Sequence, residues 1–244
     1  MSRPAPALLG ADPRAPFPPP AQALRDPDGL LAIGGDLSPE RLLNAYAAGI
    51  FPWFSAGQPI LWWSPDPRMV FRTDAVRLSS RLRRDLRRSG WQVRADTAFD
   101  AVMAACATSP RPGQDGTWIT AGMRRAYGEL HRLGHAHSIE VFDGDTLVGG
   151  LYGVAIGRMF FGESMFSGRS GGSKVALAAL AAFLHERGWP LLDAQVENPH
   201  LLSLGAERLA RPAFLREVHA LTAQSGLEGS WQAAFGQRPA SALG

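Results

Sequence analysis

The sequence predicts an α+β fold, in which helices precede and follow an antiparallel group of strands. Before about residue 134, polar capping residues and glycines bracket segments with helical periodicity. From Ser138 the apolar pattern changes to alternation, and Asp143-Gly144 and Gly157-Arg158 mark two tight turns between strands. A glycine-rich loop then leads into an apolar helix over 173–187, and a short strand follows over 190–195.

Two domains are predicted, a small N-terminal domain over residues 1–66 and a larger domain over 67–244. Residues 1–23 are rich in proline and are expected to form an irregular arm. A helix is predicted from Pro39 to Ala48. Ser38 can cap its amino end, proline is favoured at the first helical position, and Gly49 can end it.

An aromatic block follows from Ile50 to Arg68 and contains three of the seven tryptophans of the chain. Four prolines interrupt it, so we expect neither a continuous helix nor a central strand. Large aromatic rings on a stiff backbone suit a stacking platform, but they equally suit a plug between two domains. Composition alone favours the plug.

Three further helices are predicted over 79–90, 98–107 and 121–134. The first has only a thin apolar stripe, and Arg81, Arg84 and Arg88 share one of its faces. Six arginines fall between Arg77 and Arg88, although the formal net charge of the whole chain is only +3. This clustering predicts a local anion-binding surface on a nearly neutral protein.

Composition limits the remaining possibilities. With 244 residues, 45% hydrophobic and 19% charged, the chain is typical of a soluble globular protein. Its single cysteine excludes an intramolecular disulfide and a multi-cysteine metal site. No signal peptide is recognisable, and the longest apolar run, Val175 to Leu184, is too short to span a bilayer. We therefore expect a cytoplasmic protein with no membrane partner and no bound metal.

Three polar residues stand out because their strands are otherwise apolar. Glu163 shares a strand face with Phe161 and Met165 by simple alternation. A charge facing a core is costly unless it is paired, so Glu163 either has a functional role or lies on an edge strand facing solvent. Asp193 and Gln195 point to one side of their strand, where they can orient a substrate or, alternatively, bond to the following turn. The sequence alone leaves both questions open.

Taken together, several long and uncommon segments resemble the leucyl/phenylalanyl-tRNA–protein transferase family, the bacterial aminoacyltransferases of the N-degron pathway. The resemblance covers most of the chain from 24 to 215, and it is carried by residues 29–55, 59–68, 116–120, 130–141, 147–167, 173–174, 191–195 and 200–206. It implies that the larger domain has an acetyltransferase-like (GNAT-related) mixed sheet. The implied reaction moves leucine or phenylalanine, and less readily methionine, from aminoacyl-tRNA to proteins that begin with arginine or lysine, without a cofactor. A monomer is expected.

The resemblance also implies site residues. Asp193 and Gln195 would be the catalytic pair, and Glu163 would help to hold the basic N-terminus of the acceptor. Trp53 and Trp118 would contact the terminal adenosine of the donor, and the arginine-rich helix would bind the tRNA backbone through Arg81, Arg84, Arg87 and Arg88. The pocket for the amino acid would be apolar and would draw on Leu151, Phe160, Met165, Leu180, Leu184 and Leu192. One departure from the family pattern is Gly171, which stands at or beside a position where an asparagine is usual.

Two other functions fit parts of the pattern. An acyl-CoA-dependent N-acetyltransferase would share the fold, but the pyrophosphate-binding loop of such enzymes is not evident in the sequence. A non-catalytic RNA-binding module would explain the arginines and aromatic residues, yet it leaves Glu163 and Asp193 without a role.

Overall fold

Two β-sheets organise the protein in the computed structural model, which describes residues 5–109 and 117–244. The first four residues of the predicted arm and Gly116 of the Gly-Thr-Trp-Ile-Thr segment lie outside the described residues. The smaller sheet contains β1 (Ala7–Leu9), β2 (Leu30–Gly34), β3 (Phe51–Pro52) and β4 (Leu61–Trp63), in the order β1-β2-β4-β3. The larger sheet contains the eight strands that follow in the chain.

The small sheet corrects two predictions. The arm over 1–23 is not wholly irregular, because β1 pairs in parallel with β2 through Leu8 and Ile33. The aromatic block does contain an internal strand, since β4 pairs with β2 on one side and β3 on the other. The prolines at 59 and 65 flank β4 and do not interrupt its hydrogen bonds.

The predicted helix after Ser38 is confirmed as α1 (Pro39–Ala47). The Ser38 side chain accepts a hydrogen bond from the backbone N–H of Arg41, at 3.4 Å. Gly49 follows the helix with φ of +72°, a conformation in which a side chain would be strained. A Cβ atom at Gly49 would also lie only 2.5 Å from the end of the Leu215 side chain, which would have to move, so the backbone is the stronger reason for glycine.

The larger sheet has the order β11-β5-β10-β9-β8-β7-β6-β12. Its strands are β5 (Arg68–Arg72), β6 (Gln92–Ala95), β7 (Ala136–Asp143), β8 (Thr146–Ile156), β9 (Met159–Ser167), β10 (Leu191–Gln195), β11 (Glu207–Leu209) and β12 (Arg238–Pro239). The predicted meander is confirmed as the antiparallel set β7-β8-β9. Strand β10 then pairs with β9 in parallel and with β5 antiparallel, which makes the sheet mixed.

Seven further helices cover the two faces of this sheet within the described part of the chain. They are α2 (Ser80–Leu86), α3 (Phe99–Thr108), α4 (Ala121–Arg132), α5 (Gly172–His185), α6 (Pro199–Ser203), α7 (Arg211–Thr222) and α8 (Gln232–Phe235). Alternate residues of the strands enter two different cores. Phe161 packs in a core with α1, α3, α4 and α7, whereas Phe160 packs in a core with α5. The first core also contains Trp62 of the small sheet, and the boundary between residues 66 and 67 stays a prediction.

Candidate active site

A cavity opens where β9 and β10 separate. The two strands pair only at Phe160–Leu192 and Phe161–Asp193, although both continue beyond this point. The cavity has a volume of about 450 Å³. Its apolar lining consists mainly of side chains from β5, β8, β9, α5 and β10, namely Phe71, Leu151, Phe160, Met165, Leu177, Leu180 and Leu192.

Five of the six predicted pocket residues line this cavity, and Leu184 does not. Leu184 is fully buried one helical turn beyond Leu180 and packs in the core beneath the sheet. Helix α5 is apolar around most of its circumference, so residue type could not distinguish its cavity face from its core face. Leu177 lines the cavity instead and was not predicted.

Glu163 lies in the cavity wall and is 8% exposed. Its Oε1 accepts hydrogen bonds from the Tyr46 hydroxyl and from Nε2 of Gln195, both at 2.6 Å. Its Oε2 is buried, and no residue in the described ranges hydrogen-bonds to it. Of the two alternatives for Glu163, an edge position facing solvent is therefore wrong, because β9 is an internal strand.

Burial raises the pKa of Glu163 from its ordinary value of 4.5 to about 7. The hydrogen bonds from Tyr46 and Gln195, together with the nearby Tyr127 hydroxyl, favour the ionised form and oppose this increase, whereas the negative charge of Asp193 adds to it. The Tyr46 and Tyr127 hydroxyls also contact each other. Burial raises the pKa of both tyrosines well above 10, so each keeps its proton near neutral pH. Glu163 thus titrates near neutrality within a set of protonated partners.

Asp193 forms a buried ion pair with Arg68. The distances are 2.8 Å from Nε to Oδ1 and 2.7 Å from Nη2 to Oδ2, and neither side chain is exposed to solvent. Arg68 is in turn held by Phe51 and Phe214, whose ring centroids both lie 4.6 Å from the guanidinium carbon. Such a bidentate pair fixes the position of the carboxylate closely.

Gln195 ends β10 in a left-handed conformation with φ of +61°, which a residue with a side chain rarely adopts. The register of β10 against β5 shifts between Asp193 and Gln195, so simple alternation does not describe this pair. The backbone N–H of Gln195 donates to Oδ1 of Asp193 at 2.9 Å. Asp193, Gln195 and Glu163 therefore form one connected polar cluster at the cavity.

Two tryptophans lie at the same cavity, Trp53 from the small sheet side and Trp118 from the segment before α4. The indole N–H of Trp63 donates to the carbonyl oxygen of Trp53 at 2.7 Å, and the rings of these two residues lie 5.7 Å apart. Trp62 is fully buried and donates to the carbonyl oxygen of Gly34. The aromatic block thus supplies both a cavity wall and a core plug.

The predicted arginine-rich helix is α2, which ends at Leu86 and is shorter than expected. The structure exposes the four arginines assigned to tRNA binding, Arg81, Arg84, Arg87 and Arg88, and none of them lines the cavity. Arg81 lies 4.0 Å from Asp85, at a fully solvated position. The helix packs through Leu82 against Gly171, directly before α5. It therefore offers a separate basic surface near the start of α5.

Comparison with known proteins shows the family of the chain. The family model described as leucyl/phenylalanyl-tRNA protein transferase matches residues 70–219, and the model of the N-terminal domain of the same family matches residues 35–66. The chain belongs to the leucyl/phenylalanyl-tRNA protein transferase family. It is accordingly a transferase enzyme, and a purely non-catalytic module is set aside.

Curated relatives of this transferase family agree over the full length. A protein of Xanthomonas axonopodis pv. citri (strain 306), named leucyl/phenylalanyl-tRNA–protein transferase, is 75% identical over 244 residues. The match covers 100% of this chain and 98% of that protein. A protein of the same name from Xylella fastidiosa (strain 9a5c) is 64% identical, with 96% of each chain covered. Among solved structures, a GCN5-related N-acetyltransferase from Kribbella flavida has a TM-score of 0.35 and 10% identity, over 73% of this chain and 63% of that one.

The candidate site also contains residues that were not predicted from the sequence. Tyr46 on α1 and Tyr127 on α4 both lie on the apolar, buried face of their helix, where the sequence indicates only a core position. Arg68 carried the one available signal, because it is a charged residue directly before the apolar run Met69 to Phe71.

Two other findings concern the described residues as a whole. No group of three or more His, Cys, Asp or Glu side chains within 5–109 and 117–244 could hold a metal ion. None of the helices assigned in these ranges has both the length and the apolar character that a bilayer crossing requires.

Proposed function

We propose that this enzyme transfers leucine or phenylalanine, and less readily methionine, from aminoacyl-tRNA to the N-terminal arginine or lysine of acceptor proteins in the cytoplasm, as a monomer. The acceptors would thereby be marked for degradation by the N-degron pathway. The observation that carries the proposal is a cavity of about 450 Å³ that has an apolar wall and a buried carboxylate oxygen, Oε2 of Glu163, left without a hydrogen-bond partner in the described chain. An apolar amino acid and a cationic amine are the two groups that such a site accepts.

The apolar lining would hold the side chain of the donor amino acid. Leu151, Phe160, Met165, Leu180 and Leu192 contribute no polar group to the cavity, so a charged or strongly polar side chain would lose its hydration without compensation. Among apolar side chains, discrimination is weaker, because one methylene is worth about 1–3 kcal/mol. A pocket of this kind is compatible with leucine, phenylalanine and methionine together.

The nucleotide part of the donor would bind through stacking and charge. Trp53 and Trp118 lie at the cavity and can stack on the terminal adenosine. The exposed arginines of α2 would contact phosphates further along the tRNA and would provide affinity with little sequence reading. This division explains how a single site can accept tRNAs that differ in sequence but share their terminal nucleotides.

The acceptor would place its α-ammonium group against Glu163. An α-amino group has a pKa near 7.7–8.0, and the pKa of Glu163 is about 7. A proton therefore moves from the ammonium to Oε2 of Glu163 at a cost of roughly 1 kcal/mol. The amide of Gln195, which is bonded to the same carboxylate, would orient the amine toward the ester.

The transfer then follows as an aminolysis. The neutral amine nitrogen attacks the carbonyl carbon of the aminoacyl ester and forms the new C–N bond. The bond between that carbon and the ribose oxygen breaks, and the ribose oxygen takes the second proton of the original ammonium group. Glu163 releases the first proton to solvent. Because the ester is already activated on tRNA, the chemistry calls for no cofactor beyond correct positioning.

The test is a transfer assay with the purified full-length protein. Labelled Leu-tRNA is incubated with a peptide that begins with arginine, and label on the peptide is measured over time. A peptide with the same sequence and an acetylated N-terminus is the matched control, because it lacks the reacting amine. Label on the first peptide alone supports the proposal. Acetylation of the peptide from acetyl-CoA, with no transfer from Leu-tRNA, would reject it in favour of an N-acetyltransferase.

A further inference from the structure

Asp193 is in the cavity wall, yet both oxygens of its carboxylate already accept hydrogen bonds from other residues of the protein. Both oxygens accept from Arg68, at 2.8 and 2.7 Å, and Oδ1 also accepts from the backbone N–H of Gln195. The side chains of Asp193 and Arg68 are both inaccessible to solvent. An amine in the cavity would therefore meet a carboxylate that is already paired with Arg68.

Arg68 is held firmly enough to act as a fixed support. Its Nη1 donates to the carbonyl oxygen of Gly49 at 3.1 Å, and its guanidinium carbon lies 4.6 Å from the ring centroids of both Phe51 and Phe214. A guanidinium group whose donors are committed to two partners and which packs against two rings has little freedom to rotate. The position of Asp193 is therefore set by residues from both ends of the chain.

Gln195 needs such a support because its backbone is in the left-handed region, with φ of +61°. The hydrogen bond from its N–H to Oδ1 of Asp193 stabilises this conformation. The same conformation directs the side chain to Glu163, where Nε2 donates at 2.6 Å. A continuous path of contacts thus runs from Arg68 through Asp193 and Gln195 to Glu163.

We propose that Arg68 is a positioning residue for the transfer reaction, and that Asp193 connects Arg68 to Gln195 without transferring a proton. In this arrangement Arg68 holds Asp193, Asp193 holds the left-handed backbone of Gln195, and Gln195 presents its amide to the acceptor amine and to Glu163. The inference rests on the proposed function. It assigns the proton of the acceptor to Glu163 and keeps Asp193 paired with Arg68 throughout.

The first test is a double-mutant cycle at the ion pair. We expect Arg68→Gln and Asp193→Asn each to lower kcat by about a hundredfold, because a misplaced amide costs this much, while KM for Leu-tRNA stays within about twofold of the wild type. The double variant replaces the ion pair by a neutral amide pair, in which the side-chain oxygen at position 193 still accepts from the N–H of Gln195. It should recover kcat to within about tenfold of the wild type.

Two outcomes of the cycle would overturn the proposal. A folded double variant as inactive as Asp193→Asn would mean that the carboxylate itself is needed in the reaction. Wild-type kcat in Arg68→Gln would mean that the support is unnecessary. If Arg68→Gln does not fold, Arg68→Lys carries the same test, because it keeps the charge but loses the bidentate fork. Wild-type kcat in a folded Arg68→Lys variant would equally overturn the proposal.

The matched control is Arg41→Lys. Arg41 is also fully buried and paired with an aspartate, Asp36, but it lies outside the cavity and bonds to the carbonyl oxygens of Gly10 and Asp12. This variant should keep the wild-type kcat. A fall in kcat equal to that of Arg68→Lys would show that loss of any buried arginine is sufficient.

A spectroscopic readout separates this inference from the proposed function. In protein labelled with ¹⁵N-glutamine, the backbone and side-chain amide resonances of Gln195 should both shift in Arg68→Lys and stay unchanged in Arg41→Lys. Unchanged Gln195 resonances in Arg68→Lys would overturn the inference even if the wild type transfers leucine. If the wild type fails to transfer while the resonances shift as expected, the proposed function fails and the positioning path stands.

Discussion

Replacement of Glu163 by glutamine should increase stability while it decreases activity. The substitution keeps the shape of the side chain and an oxygen for Tyr46, but it removes a buried negative charge. The folded pKa, about 7, lies above the ordinary value of 4.5, so the folded protein binds this proton more tightly than the unfolded chain. Stability from this group is therefore fully present below pH 4.5 and is lost as the pH rises through 7.

The size of the effect follows from the gap between the two pKa values. A difference from 4.5 to about 7 corresponds to a loss of about 3 kcal/mol in the free energy of unfolding once Glu163 is ionised in both states. Relative to Glu163→Gln, the wild type should thus lose about 3 kcal/mol between pH 4 and pH 8. Transfer by the variant should fall by about a hundredfold, which is typical of a lost proton acceptor.

Urea unfolding at several pH values from 4 to 8, followed by circular dichroism, measures the stability difference directly. The transfer assay over the neutral range measures the second effect. In the wild type, kcat/KM for the peptide should rise through about pH 7 as Glu163 ionises and should level off above 7.7–8.0, where the amine is already neutral. In Glu163→Gln the rise should instead follow the pKa of the amine, near 7.7–8.0.

Glu140→Gln is the matched control. Glu140 is also fully buried, and burial raises its pKa, but it bonds to Ser138 and Thr97 and does not line the cavity. This variant should gain stability at high pH in the same direction and keep the wild-type transfer rate. A stability difference between Glu163→Gln and the wild type that does not depend on pH would refute the reasoning, and so would wild-type transfer by Glu163→Gln.

Three further predictions concern the donor. Trp53→Ala should raise KM for Leu-tRNA by about tenfold, because stacking on one base is worth about 1–3 kcal/mol, and steady-state transfer kinetics measure this. Arg84→Glu with Arg88→Glu should raise the same KM and reduce its dependence on salt, by about 0.7–0.9 in the log–log slope for each lost phosphate contact. Leu180→Ala should shift the preference from leucine toward phenylalanine by about tenfold in the ratio of kcat/KM, because it removes the isopropyl group of leucine from the cavity wall. Leu184→Ala should lower stability alone.

Each of these has a contradicting result. An unchanged KM in Trp53→Ala would remove this ring from the donor site. The control is Arg124→Glu with Arg125→Glu, which makes the same change of charge at exposed positions of α4 and should leave the salt slope unchanged. An equal loss of slope in this control would mean that the effect of Arg84→Glu with Arg88→Glu comes from the net charge of the protein and not from contacts at α2. An equal change of donor preference in Leu180→Ala and Leu184→Ala would mean that the cavity wall does not select the amino acid.

Local signals explain which parts of the fold the sequence predicted. Ser38, Pro39 and Gly49 each act on the backbone next to them, so α1 could be located closely. The meander was predictable because both of its turns contain glycine with positive φ, at Gly144 and Gly157. Strands β1, β5 and β6 are short and take their pairing from distant segments, and their own residues give no distinct period.

Long-range contacts explain why some residues of the candidate site could not be predicted from the sequence. Arg68 and Asp193 are separated by 125 positions, and nothing in either neighbourhood indicates the other. Tyr46 and Glu163 are separated by 117 positions, and a tyrosine on an amphipathic helix normally indicates a core position. The left-handed backbone of Gln195 was equally invisible, because the residue type does not favour it.

The small sheet and α1 contribute residues directly to the candidate site. Tyr46, Gly49, Phe51 and Trp53 come from the first 66 residues, and each of them contacts or lines the site on the other side of the predicted boundary. The candidate site is therefore built from residues on both sides of the predicted boundary. Neither half could be exchanged for an unrelated module without removing residues of the candidate site.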